Sequence, residues 1–537
     1  MKPSELNDHR SDCASCRHAF LAVLASTIFG IVMSPVIAQS LPQLDAYSPD
    51  GSPIAENYGY DKAYGATGIT YDRFSDSSSK NYSGQKIARL DNGDVIVAGL
   101  VPRGGAFTVA NQIGLVKYSP SGQRQTWTNV DPNFSRFSNQ YIVYPNAGSG
   151  QPTGAFIEVV GLETHEGNIY VMANEQSANG AIHPIMMVFA SNGFFRGWWT
   201  FFPGGDTNKP GRGFTISGSK LIVLGNDTTP SDIPSRPRIW MSRYTIDANG
   251  NLSFDSNFGD GGFAFYRASA CTVAATAFPC STYAGFEGIK AQAGVVVLAS
   301  PKFYVAVTVT GSGTPSYDSV VLRFNGNGSR DTDFGVSSTG YDSAKIAFDD
   351  GGDNADYAVA LQTDYHLVIP LAYVDDIYLT VSASRATLRG IGVARFNGDG
   401  DLVTSFGSGG KILFGGCGSG AGNCTFINVE DVPWSMVKDG NRLAIGGWYR
   451  GFDDSAHTIV RFTYPMLAVV NSDTGTIENL SGYSALIGNA ALYGIVGNGD
   501  GSFTGGGAIR EVAAGSNLSY FSARFQSNDV IFHNGVE

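Results

Sequence analysis

The chain has 537 residues, with 35 Lys and Arg against 47 Asp and Glu, a formal net charge of −12. Proteins that bind polyanions concentrate cations to displace counterions, so this balance sets nucleic acid aside as a partner. Charged residues make up 15% of the chain against about 25% in an average soluble domain. The 69 glycines argue against long helices, while 43% hydrophobic residues can bury a substantial core, so the expectation is an all-β chain rich in turns.

From the N-terminus, AFLAVLASTIFGIVMS at 19–34 follows Arg17 and His18 and runs into Pro35, Val36, Ile37 and Ala38. This reads as an export signal over 1–38, cut after Ala38. The rival is an uncleaved anchor, because three acidic residues offset three basic ones ahead of the run. Residues 39–537 are then expected to form one domain that is secreted, periplasmic or at the cell surface, monomeric, and not inserted in a membrane once the signal is cut. Cys13 and Cys16 leave with the signal. Export predicts two local disulfides, Cys271 with Cys280 and Cys417 with Cys424, although four cysteines allow three connectivities and free or metal-bound thiols are the alternative.

Down the chain a strand ending in a basic residue and an aromatic, then a turn, recurs: GLVKYSPSG, MMVFASNG, MSRYTIDANG, VVLRFNGNG, GVARFNGDG, TIVRFTYP and SARFQSND. The anchor aromatics are Tyr118, Phe189, Tyr244, Phe324, Phe396, Phe462 and Phe525. In three units the turn leads on to a Phe-Gly step, at Phe258-Gly259, Phe334-Gly335 and Phe406-Gly407. Alternation around Asn-Gly and Asp-Gly turns reads as antiparallel hairpins. Each unit gains an upstream strand from segments such as DVIVAGL, NIYVMAN, KLIVLGN, VVVLAS and RLAIGGW, which gives about four strands per unit.

Units of this kind cannot cover their own faces, and radial stacking into a β-propeller satisfies them, with seven four-stranded blades the expectation. The segment 39–84 is expected to close the ring, since Tyr47-Ser48-Pro49-Asp50-Gly51 copies YSPSG and Tyr58-Gly59 stands where Phe-Gly stands elsewhere. The rival reading gives it to an eighth blade.

VARFNGDGDLVTSFGSGGKIL and SRYTIDANGNLSFDSNFGDGGFAF resemble the delta-60 repeat of exported bacterial proteins, over about half the chain. That resemblance implies a propeller-like repeat protein and brings no catalytic residues.

Strand parity puts the connections after the second strand of each unit, and both cysteine loops, on one face, where recognition loops sit on a rigid scaffold. Candidate ligand-binding residues there are Tyr317, Asp318, Asp375, Asp376, Trp448, Tyr449, Arg450, Asp453 and Asp454. This mixture of aromatics and charges suits a glycan or protein ligand, or forms an ordinary solvated rim. Trp448 and Tyr449 are expected exposed at a loop tip, unless Trp448 ends its strand and packs between blades.

No cofactor is predicted. Asp247-Asn249-Asn251 and Asn397-Asp399-Asp401 have the alternate spacing of a calcium loop without its glycine and bidentate glutamate, so plain turns are expected and structural calcium stays open; DDGGDNAD at 349–356 is a fuller acidic cluster. The histidines at 165, 183, 366, 457 and 533 are isolated, and no nucleophile or metalloprotease motif is present. The sequence thus favours a noncatalytic recognition or surface scaffold. The alternative is an extracytoplasmic propeller enzyme, a glycoside hydrolase or polysaccharide lyase, with Asp375 or Asp376 as candidate carboxylates.

Overall fold

The computed structural model describes the chain from Tyr58 to Ser527 with gaps, together with a short pairing of Ala46–Tyr47 with Pro53–Ile54. Outside the described residues lie 1–45, 73–82, 103–110, 145–154, 202–207, 228–237, 267–282, 292–301, 311–316, 336–342, 349–355, 417–428, 453–459, 484–489, 511–517, 528–537 and a few shorter stretches.

The described strands are all antiparallel and, apart from the short Ala46–Tyr47 pairing, group into seven repeating sheets, each laid down in chain order; the first two are joined edge to edge into one ten-stranded sheet by Phe156 opposite Asn111. The first holds Ser83–Arg89, Val95–Pro102, Asn111–Tyr118 and Tyr141–Tyr144, and the second Ala155–His165, Asn168–Gln176, Ile182–Ala190 and Phe195–Thr200. The third holds Gly211–Ser217, Lys220–Asp227 and Arg238–Ile246, with Leu252–Phe254 and Phe263–Tyr266 sharing the fourth place. The fourth holds Tyr283–Ala291, Phe303–Thr310, Tyr317–Phe324 and Ser343–Ile346, and the fifth Tyr357–Val368, Ala372–Arg385, Leu388–Phe396 and Lys411–Phe414. The sixth holds Val429–Asp439, Arg442–Phe452, Val460–Asn471 and Ile477–Gly482, and the seventh Ala490–Gly497, Phe503–Arg510 and Leu518–Ser527.

The fourth place of the seventh sheet is filled from the other end of the chain: Tyr58–Tyr60 and Ile69–Asp72 both pair with Leu518–Ser527. Each sheet's first strand touches the first strand of the next, and that of the seventh touches that of the first, so the sheets form a closed β-propeller ring around an axis. Consecutive residues point to opposite seams, as strand alternation requires. Ile96 and Ala98 pack towards the second sheet, while Val95 and Val97 pack towards the seventh. A buried apolar cluster fills each seam.

The recurrent signature is a lock between neighbouring sheets. The arginine before the anchor aromatic pairs with a carboxylate of its own sheet and donates to a turn carbonyl of the next. Arg243 bonds Asp255 and the Gly326 carbonyl, and Arg323 bonds Asp331 and the Gly398 carbonyl. Arg395 holds Asp376 through both oxygens, at 3.0 and 2.8 Å, and reaches the carbonyls of Ser472 and Asp473. Arg524 bonds Asp500 and, across the closing seam, the Pro120 carbonyl. The Phe-Gly step supplies a second bond, because the amides of Gly259, Gly335 and Gly407 donate to Asn327, Asp399 and Thr474 of the next sheet's hairpin. Gly407 has a φ of +55°, and a Cβ there would meet the Lys411 carbonyl oxygen at 2.4 Å, so only glycine fits the step.

Two details of the sequence reading are corrected. The step in the closing segment is Tyr64-Gly65, not Tyr58-Gly59: the Gly65 amide donates to Ser121 at 2.8 Å, and Tyr58-Gly59 lies in the strand before it. In the sixth sheet the anchor place is taken by Val470, opposite Leu443, while Phe462 sits at the far end of that strand. VVVLAS lies outside the described residues, and the second strand of the fourth sheet is Phe303–Thr310.

The locks make the fold sensitive to acid. Burial raises the Asp331 carboxyl, but hydrogen bonds from Lys302 and the Asp333 amide and the charge of Arg323 outweigh it and leave it below its ordinary value; Asp255 is lowered likewise by Lys220 and Arg243. A carboxylate lowered on folding contributes its full stability above the unfolded Asp range, about 3.9, and loses it as pH falls through the lower folded value. Denaturation midpoints should therefore drop steeply below about pH 4, and less steeply in Asp331→Asn. An identical acid limb in that variant would remove Asp331 from this account.

Candidate functional site

Every first strand is bulged at the same level. Opposite the third and fourth residues beyond each second strand's anchor partner, the first strand carries one extra residue: Gln85, Val160, Arg212, Glu287, Val359, Trp434 and Tyr493 in ring order. A bulge re-aims a side chain out of the pleat. Those of Gln85, Val160, Arg212, Val359, Trp434 and Tyr493 line a cavity of about 740 Å³ on the axis. That volume falls within the range of pockets that enclose small ligands.

The lining is drawn from the beginnings of the first strands, such as Ser83, Glu158, Arg212, Tyr357 and Glu430, and from late residues of second strands, Ser382 and Trp448. Both sets lie towards the end of the ring where second-to-third and sheet-to-sheet connections run. The cavity therefore belongs to the face that strand parity selects.

Its charges are balanced, Lys86, Arg212 and Arg389 against Glu158, Glu163 and Glu430. Glu158 accepts from the Asn174 amide at 3.3 Å, Glu430 pairs with Arg450 at 3.2 Å, and the Arg389 guanidinium lies 4.5 Å from the Tyr357 ring centre. One wall is aromatic. Trp434 and Trp448 lie 5.1 Å apart at 32°, and Tyr493 meets them at 5.4 and 6.1 Å, at 73° and 81°. Burial raises the Tyr493 phenol above its ordinary value, only partly offset by the charge of Arg450, so the hydroxyl stays neutral at pH 7. Trp434 remains 40% exposed.

Of the residues that sequence reasoning singled out, the structure brings Trp448 to this wall and stacks Arg450 against it, 5.3 Å from the ring centre. Both lie within Arg442–Phe452 rather than at a loop tip. Tyr449 points the other way, 7% exposed in the core between the fifth and sixth sheets, which corrects its expected exposure. Asp375 and Asp376 are corrected too. The segment 374–389 is no loop but most of a hairpin, Ala372–Arg385 with Leu388–Phe396, and both aspartates lie near its start, at the opposite end of the ring. Asp376 is buried in the Arg395 lock. Tyr317 and Asp318 open a third strand, paired with Thr310 and Val309. Asp453, Asp454, Cys271, Cys280, Cys417 and Cys424 lie outside the described residues.

The calcium-like segments are turns. Asp247 accepts from the amides of Asn249 and Asn251, both at 2.8 Å, and Asn397 from those of Asp399 and Asp401. Of DDGGDNAD only Asp356 is described; it is buried and accepts from the Phe348 amide. His183 is not isolated, lying 3.0 Å from the buried carboxylate of Glu175.

The bulge residues share no residue type, so composition and spacing gave no hint of them. A signal does exist in the second strands, at Gly99, Gly225, Gly447 and Gly507 opposite the bulges. A Cβ there would meet the carbonyl oxygens of Ser83, Pro210, Val432 and Ala491 at 1.9, 2.5, 2.1 and 2.0 Å.

No known protein family and no curated protein matches the chain. Among solved structures it is similar to a protein of unknown function from Dyadobacter fermentans, at 10% identity and a TM-score of 0.36, covering 86% of this chain and 100% of that one. The periplasmic gluconolactonase of Pseudomonas aeruginosa matches at 12% identity and a TM-score of 0.36, over 82% of this chain and 95% of its own. The plexin A4 extracellular region matches at 9% identity and 0.42, over 82% of this chain and 46% of its own. The ring rests on its own strand pairing and not on these distant likenesses.

Proposed function

We propose that the protein is an exported, noncatalytic recognition scaffold of delta-60-like repeats that binds its ligand in the axial cavity. The observation that carries this reading is the set of bulges, which turn large and polar side chains into one chamber. A bulge also bends and twists its strand, which helps the inner strands close the ring; what favours a ligand is that the re-aimed side chains share one chamber of about 740 Å³. Glu158 and Glu430 each hold a partner within the fold, which fixes them as polar walls of the chamber, and release of reducing ends decides between recognition and hydrolysis.

The test is a glycan array and an immobilised peptide panel, probed with the wild type and with Val359→Trp, which fills the chamber from a bulge position. Ligand capture by the wild type and not by the filled variant, at equal thermal midpoint, is the expected result. Capture that survives filling would move the site elsewhere. New reducing ends released during incubation would identify a hydrolase instead. Export carries its own prediction: nonreducing peptide mapping of secreted material should recover Cys271 linked to Cys280 and Cys417 linked to Cys424, and free thiols would count against it.

A further inference from the structure

We infer that the aromatic corner formed by Trp434, Trp448 and Tyr493 is a saccharide subsite that takes an uncharged sugar unit against the open face of Trp434. This rests on the reading of the axial cavity as the ligand site and names the chemical class it accepts.

Trp434 and Tyr493 are the bulge residues of adjacent first strands, and Trp448 reaches the same corner from the second strand of the sixth sheet. The three rings brace one another, so Trp434 is ordered before any ligand arrives and little rotamer freedom is lost on binding. Its remaining exposure is a flat apolar surface at the wall of a polar chamber. The C–H face of a pyranose is also flat and apolar, while its rim carries hydroxyls, and one unit can cover the indole and meet polar groups around it.

Two polar groups belong to the corner itself. The Ser435 hydroxyl and the Trp448 indole N–H, on residues that line the cavity, are buried and have no hydrogen-bond partner among the described residues. A buried donor left unpaired is costly, and a ligand that supplies acceptors recovers that cost. An acyl chain supplies none, and a peptide offers one backbone carbonyl per residue. A sugar brings several hydroxyls, each able to accept and donate, in the same area. Among the described lining residues three cations face three carboxylates, so they carry no net charge to draw an anionic sugar in preference to a neutral one.

The experiment is a tryptophan-fluorescence titration of the wild type, Trp434→Ala, Trp434→Phe and Val359→Trp. The probes are cellotetraose, xylotetraose and mannotetraose, with tetragalacturonate as the anionic comparator and a hydrophilic tetrapeptide as the nonsugar one. At least one neutral tetraose should bind saturably, about ten-fold or more weakly to Trp434→Ala, with Trp434→Phe in between because it keeps an aromatic face. Thermal midpoints of both Trp434 variants should stay close to the wild type. Absence of binding by all three neutral sugars, or binding by tetragalacturonate or the peptide alone, would overturn the inference. A neutral sugar blocked by Val359→Trp yet indifferent to Trp434→Ala removes the subsite and leaves the cavity reading standing; one indifferent to both removes both.

Discussion

Arg323→Ala is expected to destabilise the protein by about 3–5 kcal/mol, the scale of cost for removing one partner of a buried ion pair, with the more exposed Lys302 left as the remaining partner of the carboxylate. Arg323 and Asp331 are 7% and 6% exposed and bond at 2.7 Å, and the guanidinium also covers the Phe334 ring and caps the Gly398 carbonyl of the next sheet. The substitution therefore removes an ion pair, a ring contact and an inter-sheet bond together. Lys302 approaches the same carboxylate from a more exposed position, 31%, and Lys302→Ala should cost less than about 1 kcal/mol. Chemical-denaturation midpoints of the two variants, and of Arg323→Met with Asp331→Leu, check the assignment. The double variant should regain much of the loss, because the charge it leaves behind, Lys302, is partly exposed to water. Equal effects of Arg323→Ala and Lys302→Ala would show that the carboxylate, and not the lock, is what matters.

Removing residues 39–75 should have the larger effect. Tyr58, Tyr60, Tyr64 and Ile69 are 1%, 6%, 1% and 5% exposed, and burying side chains of this kind contributes about 1.5–3 kcal/mol each. Their loss, roughly 6–12 kcal/mol, is comparable to the whole stability of many domains. It also uncovers the edge of Leu518–Ser527 and breaks the bonds of Tyr64 to Ser522 and of Arg124 and Tyr141 to Asp72. The shortened protein should bind hydrophobic dyes and melt far below the intact one, and a synthetic 39–75 peptide should restore part of the difference. An unchanged thermal midpoint would refute closure by this segment.

Much of the ring was legible in the sequence because its seams reuse the same residue types. An arginine, an anchor aromatic, a tight turn and a Phe-Gly step each perform one task in the lock, and the task tolerates few substitutes. Where a substitute occurs, the reading slipped. Val470 stands in for an aromatic, which shifted the sixth anchor to Phe462, and two Tyr-Gly pairs close together let Tyr58-Gly59 pass for Tyr64-Gly65. Asp376 was mistaken for a loop residue because its strand continues, without a turn signal, to Arg385. The cavity was hardly legible at all. A bulge is a property of the register between two strands, and the chain records it only in the partner's glycines. Trp448 was found for its residue type, whereas Trp434, the more exposed of the two, drew no notice inside what looks like an ordinary strand.

The closing seam also has a mechanical direction. Tyr58 faces Ser527 and Tyr60 faces Phe525, so the incoming and outgoing chain leave the pair at the same end of the strands. A force applied between the two chain ends pulls the strands apart along these hydrogen bonds, which lie perpendicular to the strands, and meets them one at a time. The ring would open like a zip under low tension at this point. The seams between sheets, each crossed by a continuous chain, would still be intact. Tethering the protein by one end leaves this joint unloaded; tethering it by both places the load on the strand pairing that joins the two ends of the chain inside the seventh sheet.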